Sequence, residues 1–374
     1  MKHMTVMIKP ASSLCNLRCK YCFYADVSSL REVRSFGIMT EATAKAVIAN
    51  IFSNLQPGDA VTFSFQGGEP TLASLDFYKY FANMVDSYAV QGIRVGYTLQ
   101  TNGFVIDEAW CEFLKERSFL VGLSLDGPRQ YHNACRVDAS GSGTFSNVMR
   151  AKKLFDRFGV EYNILLVLTR ELARHPKQVW TFLEQEQIQY AQFIPCLGPL
   201  EGADSPYALT PERYASFYTE LFRLWHDSYR RGRYISIKLF DDYVNLLAFG
   251  QCNACGLLGF CHAQIIVEAD GSVYPCDFYV LDEYRAGSLA DTGLASVLAS
   301  PVMKQFQSRG HEDLHLCGSC PYRRICGGGC KRMKDSVFYH PEDRVCGHKL
   351  FLDSAIRDLQ ELAFLSRTAA GKGQ

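Results

Sequence analysis

The 374-residue chain has no surplus of either charge: 39 lysines and arginines stand against 39 aspartates and glutamates. That balance argues against non-specific nucleic-acid binding, which requires excess Lys and Arg to neutralise phosphates. No run approaches the ~20 apolar residues of a membrane-spanning helix. The opening Met1-Lys2-His3-Met4-Thr5-Val6-Met7-Ile8-Lys9-Pro10 lacks the apolar core of a secretory signal. No unit repeats along the chain, and biased composition is confined to the polar stretch 368–374. Core material is not scarce, with 48% hydrophobic and 21% charged residues, so disorder is excluded as well. These absences leave a globular protein of two or three domains, expected in the reducing cytoplasm, with neither nucleic acid nor membrane as partner.

Cysteine is what the chain has in quantity. There are 15, three of them within eight residues at Cys15, Cys19 and Cys22. Nine follow Gly250: Cys252, Cys255, Cys261, Cys276, Cys317, Cys320, Cys326, Cys330 and Cys346. In a reducing compartment such groups serve metals or catalysis rather than disulfides. Soft thiolates select zinc or iron–sulfur clusters over hard cations. Three thiols in one loop leave an open coordination position and so point to chemistry, although a zinc loop closed by a distant fourth ligand fits the same spacing. Cys111, Cys135 and Cys196 stand apart and read as small buried hydrophobes.

The first 230 residues alternate strand-like apolar runs (5–8, 61–65, 94–99, 120–125, 162–168, 192–197) with helical patterns (40–55, 74–88, 107–116, 145–158, 177–185). Such alternation predicts a parallel sheet with right-handed crossovers. Six units fall short of a closed eight-fold barrel, so the expected fold is α/β, a partial (β/α)6 TIM-like barrel with its active groups at the C-terminal strand ends. Residues 210–231 form an amphipathic helix. Ala269-Asp270-Gly271 between apolar runs predicts a hairpin. The cysteine density shifts near residues 232–252, which places domains at 1–235, 236–350 and a C-terminal helix and tail at 351–374.

Cys15-x3-Cys19-x2-Cys22, with Tyr21 before the third cysteine, resembles the signature of the radical S-adenosylmethionine enzymes. Gln66-Gly67-Gly68-Glu69-Pro70 stands where that family has its second element. Cys317-x2-Cys320-x5-Cys326-x3-Cys330 and Cys346 resemble the SPASM extension, a cysteine-rich domain holding two auxiliary iron–sulfur clusters. Residues 8–24, 66–72, 100–103, 120–128 and 270–281 are similar to the anaerobic sulfatase-maturating enzymes. Those enzymes oxidise a Cys or Ser of a sulfatase to Cα-formylglycine.

The resemblance implies three [4Fe–4S] clusters and S-adenosylmethionine as cofactors. Cys15, Cys19 and Cys22 would hold the first cluster. Cys255, Cys261, Cys276 and Cys330 would hold the second, and Cys317, Cys320, Cys326 and Cys346 the third, leaving Cys252 spare. It implies S-adenosylmethionine contacts for Tyr21, Gly68, Ser124, Arg136 and Leu197, with the planar Arg136 fork suited to a carboxylate. It makes Asp277 the base that takes the substrate's side-chain proton. His132 reads as solvated rather than catalytic. Implied partners are an unfolded sulfatase or substrate peptide and a flavodoxin or ferredoxin electron donor. A maturase of a ribosomally made peptide, forming a thioether, crosslink or epimer, shares most of these features. A non-catalytic iron–sulfur scaffold and a zinc-ribbon protein are the readings from other classes.

Overall fold

The computed structural model describes residues 2–89, 92–202, 204–252, 254–262, 264–308, 315–339 and 345–371. Its strands, in chain order, are β1 (His3–Ile8), β2 (Ala60–Phe65), β3 (Arg94–Thr101), β4 (Phe119–Ser124), β5 (Glu161–Leu168), β6 (Tyr190–Pro195), β7 (Ser236–Ile237), β8 (Ile265–Val267), β9 (Ser272–Tyr274) and β10 (Gly287–Ser288). The chain divides into two compact units. One comprises residues 1–124, 133–162 and 263–309; the other comprises 125–132, 163–262 and 310–374.

In the first unit, β1, β2, β3 and β4 pair in parallel and in sequence order. The crossover helices Glu41–Phe52, Leu75–Tyr88 and Glu108–Glu116 begin at side-chain caps: Thr40, Ser74 and Asp107 accept from backbone N–H groups of the first turn. Each cap satisfies a donor that the helix start would otherwise leave unpaired. Between sheet and helices lies an aromatic core in which Phe65 meets Tyr78, Phe81 and Phe119. The predicted hairpin is present: β8 and β9 are antiparallel, and Asp270 Oδ1 accepts from Ser272 N–H at 2.9 Å to close the turn. β8 also pairs in parallel with β1, a sheet contact that cysteine spacing gives no hint of. It carries the hairpin, and with it residues 276–277, to the end of β1.

In the second unit β5, β6 and β7 are parallel. Helices Pro211–Arg230, Lys238–Phe249 and Gly347–Gly371 pack around Tyr218, Phe222, Trp225, Phe240 and Phe351. The last helix extends through residue 371, well into the stretch read as a polar tail; residues 372–374 lie outside those described.

The expected α/β class with a parallel sheet is borne out, strand by strand for the six predicted runs. Helices outside the predicted stretches include Phe23–Ser29, Arg129–Cys135 and Lys238–Phe249. The first two have only seven residues each, too few for a helical repeat to register. One expectation is corrected. His132 is buried at 1% exposure, and its Nδ1 accepts from Asp126 N–H at 3.3 Å. The short helix Arg129–Cys135, after Gly127-Pro128, turns the ring inward, where the sequence reading had it solvated.

Candidate active site and cluster sites

In the first unit the cysteine loop leaves the end of β1 and crosses directly over Gly68. Gly68 N–H donates to Ser12 O at 2.9 Å and Glu69 N–H to Leu14 O at 2.7 Å. An ideal Cβ on Gly68 would stand 2.1 Å from Leu14 O. The glycine pair therefore admits the loop's own carbonyls, whatever else it contacts. On its other side the loop is stitched to residues 135–138: Lys20 N–H donates to Cys135 O, Arg18 N–H to Val137 O, and Leu17 bridges Asp138. That stitching brings the Arg136 guanidinium to 5.6 Å from the centre of the Tyr21 ring, within cation–π range.

Glu69 is buried beneath the loop at 1% exposure. Its Oε1 accepts from the Thr71 N–H, the Thr71 hydroxyl and the Thr101 hydroxyl at 3.1, 2.5 and 2.7 Å, and its Oε2 from Asn102 N–H at 2.8 Å. Burial pushes the carboxyl above its ordinary range, and these donors offset part of the cost. Asn102 then donates through Nδ2 to Asn16 Oδ1 at 2.8 Å and reaches Cys15 Sγ at 4.0 Å. Asn102 is a site residue that sequence reasoning did not single out, although it sits in the quoted stretch Gln100–Gly103. The Cys15 thiol is pushed up to about 12, by burial first and also by Glu69, Cys19 and Cys22. The three thiols thus gather around one loop, which is the donor set an iron–sulfur cluster takes.

The same unit carries Asp277 in the turn that follows Cys276. Its carboxylate does not bond its own turn. Lys9 Nζ stands 2.8 Å from Oδ1, and the Tyr24 hydroxyl donates to the same oxygen at 2.5 Å. Lys9 is 1% exposed, and its ammonium also lies over the Tyr24 ring, 4.0 Å from the centroid. Burial, with Asp277 adding, raises the Tyr24 phenol well above its usual range and keeps it a donor. The neighbouring acid, Glu268, has its own cation in Arg31 at 2.7 Å. Ser124 ends β4 and is buried.

Leu197 lies in the second unit, half-buried just past β6. That unit also holds seven of the eight cysteines expected to bind auxiliary clusters, Cys276 being the exception. Cys317, Cys320, Cys326 and Cys346 line one small cavity, backed by Phe338 and His348. The Cys326 thiol is pushed up to about 12, by burial and then by those three neighbours. His348 is clamped between the Tyr214 hydroxyl, 2.9 Å from Nδ1, and the Tyr243 hydroxyl at Nε2. Cys330 and Cys261 neighbour Cys255: desolvation and then these two thiols push the Cys255 thiol up to about 11, although the residue's surface is exposed. Cys252 points its sulfur at Ala254 O, 3.8 Å away. Cys111, Cys135 and Cys196 are buried, as small apolar residues would be. Among the described residues no three His, Cys, Asp or Glu side chains converge tightly enough to ligate a single ion. A cubane sets its cysteine sulfurs on separate irons and so spaces them more widely. No helix of the described residues is long and apolar enough to cross a membrane.

Comparison with known proteins bears on both groups of cysteines. A family profile described as the Radical SAM superfamily matches residues 10–176, and one described as SPASM, an iron–sulfur cluster-binding domain, matches residues 260–321. The chain is 39% identical over 372 residues to a cysteine-type anaerobic sulfatase-maturating enzyme of Clostridium novyi, covering 99% of each chain. A serine-type anaerobic sulfatase-maturating enzyme of Bacteroides thetaiotaomicron is 28% identical, with 90% of this chain and 84% of that one covered. The solved structure of native anSMEcpe with bound AdoMet and Cp18Cys peptide superposes with a TM-score of 0.87 at 37% identity, covering 96% of this chain and 99% of that one.

Proposed function

The chain belongs to the anaerobic sulfatase-maturating enzymes of the radical S-adenosylmethionine superfamily, and from that premise we propose that it is a cysteine-type member, converting one cysteine of a sulfatase into Cα-formylglycine. It is an oxidoreductase whose cofactors are S-adenosylmethionine and three [4Fe–4S] clusters. The cysteine preference follows the higher identity to the cysteine-type relative, 39% against 28% for the serine-type one.

When bound, these groups supply the 5′-deoxyadenosyl radical that takes a hydrogen atom from the substrate Cβ, and a sink for the second electron. The protein's own share is to hold and orient. Cys15, Cys19 and Cys22 hold the cluster that meets S-adenosylmethionine. In this reading Arg136 receives a carboxylate and Tyr21 the methionine end of S-adenosylmethionine, which the pairing of the two side chains across the loop supports. Gly68, Ser124 and Leu197 are the further S-adenosylmethionine contacts of this reading. Cys255, Cys261, Cys276 and Cys330 hold one auxiliary cluster, and Cys317, Cys320, Cys326 and Cys346 the other. The domain layout is 1–235 for the radical domain, 236–350 for the SPASM domain, and 351–374 for the terminal helix and tail.

Loss of the Cβ hydrogen must be matched by loss of the Sγ proton, and Asp277 is the base that takes it. The observation that carries this reading is a carboxylate directly after Cys276, in the same unit as the cysteine triplet, with one oxygen anchored by Lys9 and Tyr24. The resulting thioaldehyde takes up water and releases sulfide to leave the aldehyde. The partner is an extended sulfatase segment, the reductant a flavodoxin or ferredoxin, and the compartment the cytoplasm. Asp277→Asn tests the assignment: 5′-deoxyadenosine should still form while formylglycine falls by about 10²-fold or more. Unchanged product would remove Asp277 from the mechanism. A thioether, crosslinked or epimerised peptide in the same assay would instead favour the peptide-maturase alternative.

A further inference from the structure

Asp277 has two oxygens, and they are not equivalent. Oδ1 carries both contacts, the Lys9 ammonium at 2.8 Å and the Tyr24 hydroxyl at 2.5 Å. Oδ2 accepts no hydrogen bond among the described residues. The ammonium is not a surface cation that happens to be near. Lys9 is 1% exposed, directly follows β1, and its N–H donates to Val267 O at 2.8 Å, which fixes its backbone against β8. A fully buried lysine is rare unless paired, and among the described residues Asp277 is the only acid ion-paired with it. Gly67 gives it room: an ideal Cβ there would lie 3.3 Å from the Lys9 Cβ. Glu268, the other nearby acid, does not compete, because its Oε1 is held by Arg31 at 2.7 Å and its Oε2 accepts from Ala269 N–H at 3.3 Å. Two acids and two cations are thus matched one to one.

We infer that Lys9 is the positioning residue of the base: it anchors Oδ1 of Asp277 as a carboxylate oxygen and leaves Oδ2 as the oxygen that takes the substrate's Sγ proton. This inference rests on Asp277 being that base. The proton passes from Sγ to Oδ2, and Lys9 takes no part in the transfer. Tyr24 is the neutral second anchor on Oδ1. Without the ammonium, a single hydroxyl hinge holds the carboxylate, and its rotation exchanges the two oxygens.

The test compares reconstituted wild type with Lys9→Met, Lys9→Arg, Asp277→Asn and Lys9→Met/Asp277→Asn enzymes on a cysteine-bearing sulfatase peptide. Each is measured for iron per chain, melting temperature, peptide KM, 5′-deoxyadenosine and formylglycine. The expected K9M enzyme keeps its iron, its KM and its deoxyadenosine rate. Its formylglycine per deoxyadenosine falls about tenfold or more, K9R recovers part of that ratio, and K9M has no further effect in the D277N background. A K9M enzyme with the wild-type ratio overturns the inference. So does one whose product loss merely tracks lost iron, lost peptide affinity or failure to fold, because Lys9 is then structural. If D277N itself keeps the wild-type ratio, the base assignment fails and this inference with it; a crippled D277N beside a fully coupled K9M removes only Lys9.

Discussion

Replacing Gly68 by alanine adds one methyl group and should cost the enzyme its first cluster. The new Cβ would sit 2.1 Å from Leu14 O and 2.7 Å from the carbonyl carbons of Ser13 and Leu14. Side-chain carbons do not approach backbone oxygen closer than about 3.0 Å, so the cysteine loop must retreat by about 0.9 Å or more. Backbone atoms, not a flexible side chain, have to give way. The retreat strains two hydrogen bonds, Gly68 N–H to Ser12 O and Glu69 N–H to Leu14 O. Overpacking of this kind costs about 1–3 kcal/mol, and each weakened hydrogen bond about 0.5–1.5 kcal/mol. A total near 2–6 kcal/mol should lower the melting temperature by about 3–8 °C. The functional loss is larger than the stability loss, because Cys15 directly follows the displaced Leu14 and ligand geometry is set there. Iron and sulfide analysis of anaerobically reconstituted protein should show about four of about twelve irons missing, with both auxiliary clusters retained. Gly198→Ala, where a Cβ meets nothing within 4 Å, is the control. A G68A enzyme with full iron and an unmoved melting temperature would refute the argument that this glycine exists for the loop.

Three further outcomes follow from the same structure. Glu69→Ala strips the acceptor from three buried donors and one half-buried one and should destabilise by about 3–5 kcal/mol in chemical denaturation, while Glu69→Gln, which keeps one acceptor oxygen, should cost clearly less. Arg31→Met and Glu268→Gln each break a buried ion pair and should cost about 3–5 kcal/mol singly, with the double variant far short of the sum; strict additivity would mean the pair is not coupled. Gly259→Ala would put a Cβ 1.9 Å from Gly327 O, beside Cys326, and should lower auxiliary-cluster iron while leaving S-adenosylmethionine cleavage intact. Cleavage lost in parallel with iron would contradict that separation.

Much of this was readable from the chain. The six strand–helix units came through because their periodicity is long and their caps, Thr40 and Asp107, are side chains with a specific hydrogen-bonding job. The hairpin at Asp270-Gly271 came through for the same local reason. The ligand cysteines were legible as spacing, and Asp277 as the residue after one of them. Lys9 and Tyr24 were not. Their role depends on β8 pairing in parallel with β1, a long-range contact that brings residue 277 to residue 9. Nothing in a local pattern encodes a partner that far away; the one available clue was a lysine between Ile8 and Pro10, where a buried strand end leaves little room for an unpaired charge. The same holds for Asn102, whose contact with Cys15 arises only when β3 is laid beside β2. His132 was misread because a seven-residue helix is too short to announce which way it faces.

The central claim is that this chain turns a protein cysteine into an aldehyde. Anaerobic incubation of the fully reconstituted enzyme with S-adenosylmethionine, a reductant and paired peptides, identical but for Cys or Ser at the target, puts it to mass spectrometry directly. The account predicts formylglycine from the cysteine peptide, formed with 5′-deoxyadenosine and faster than from the serine peptide. Abundant 5′-deoxyadenosine beside a cysteine peptide that keeps its sulfur, whether untouched or crosslinked, would contradict it.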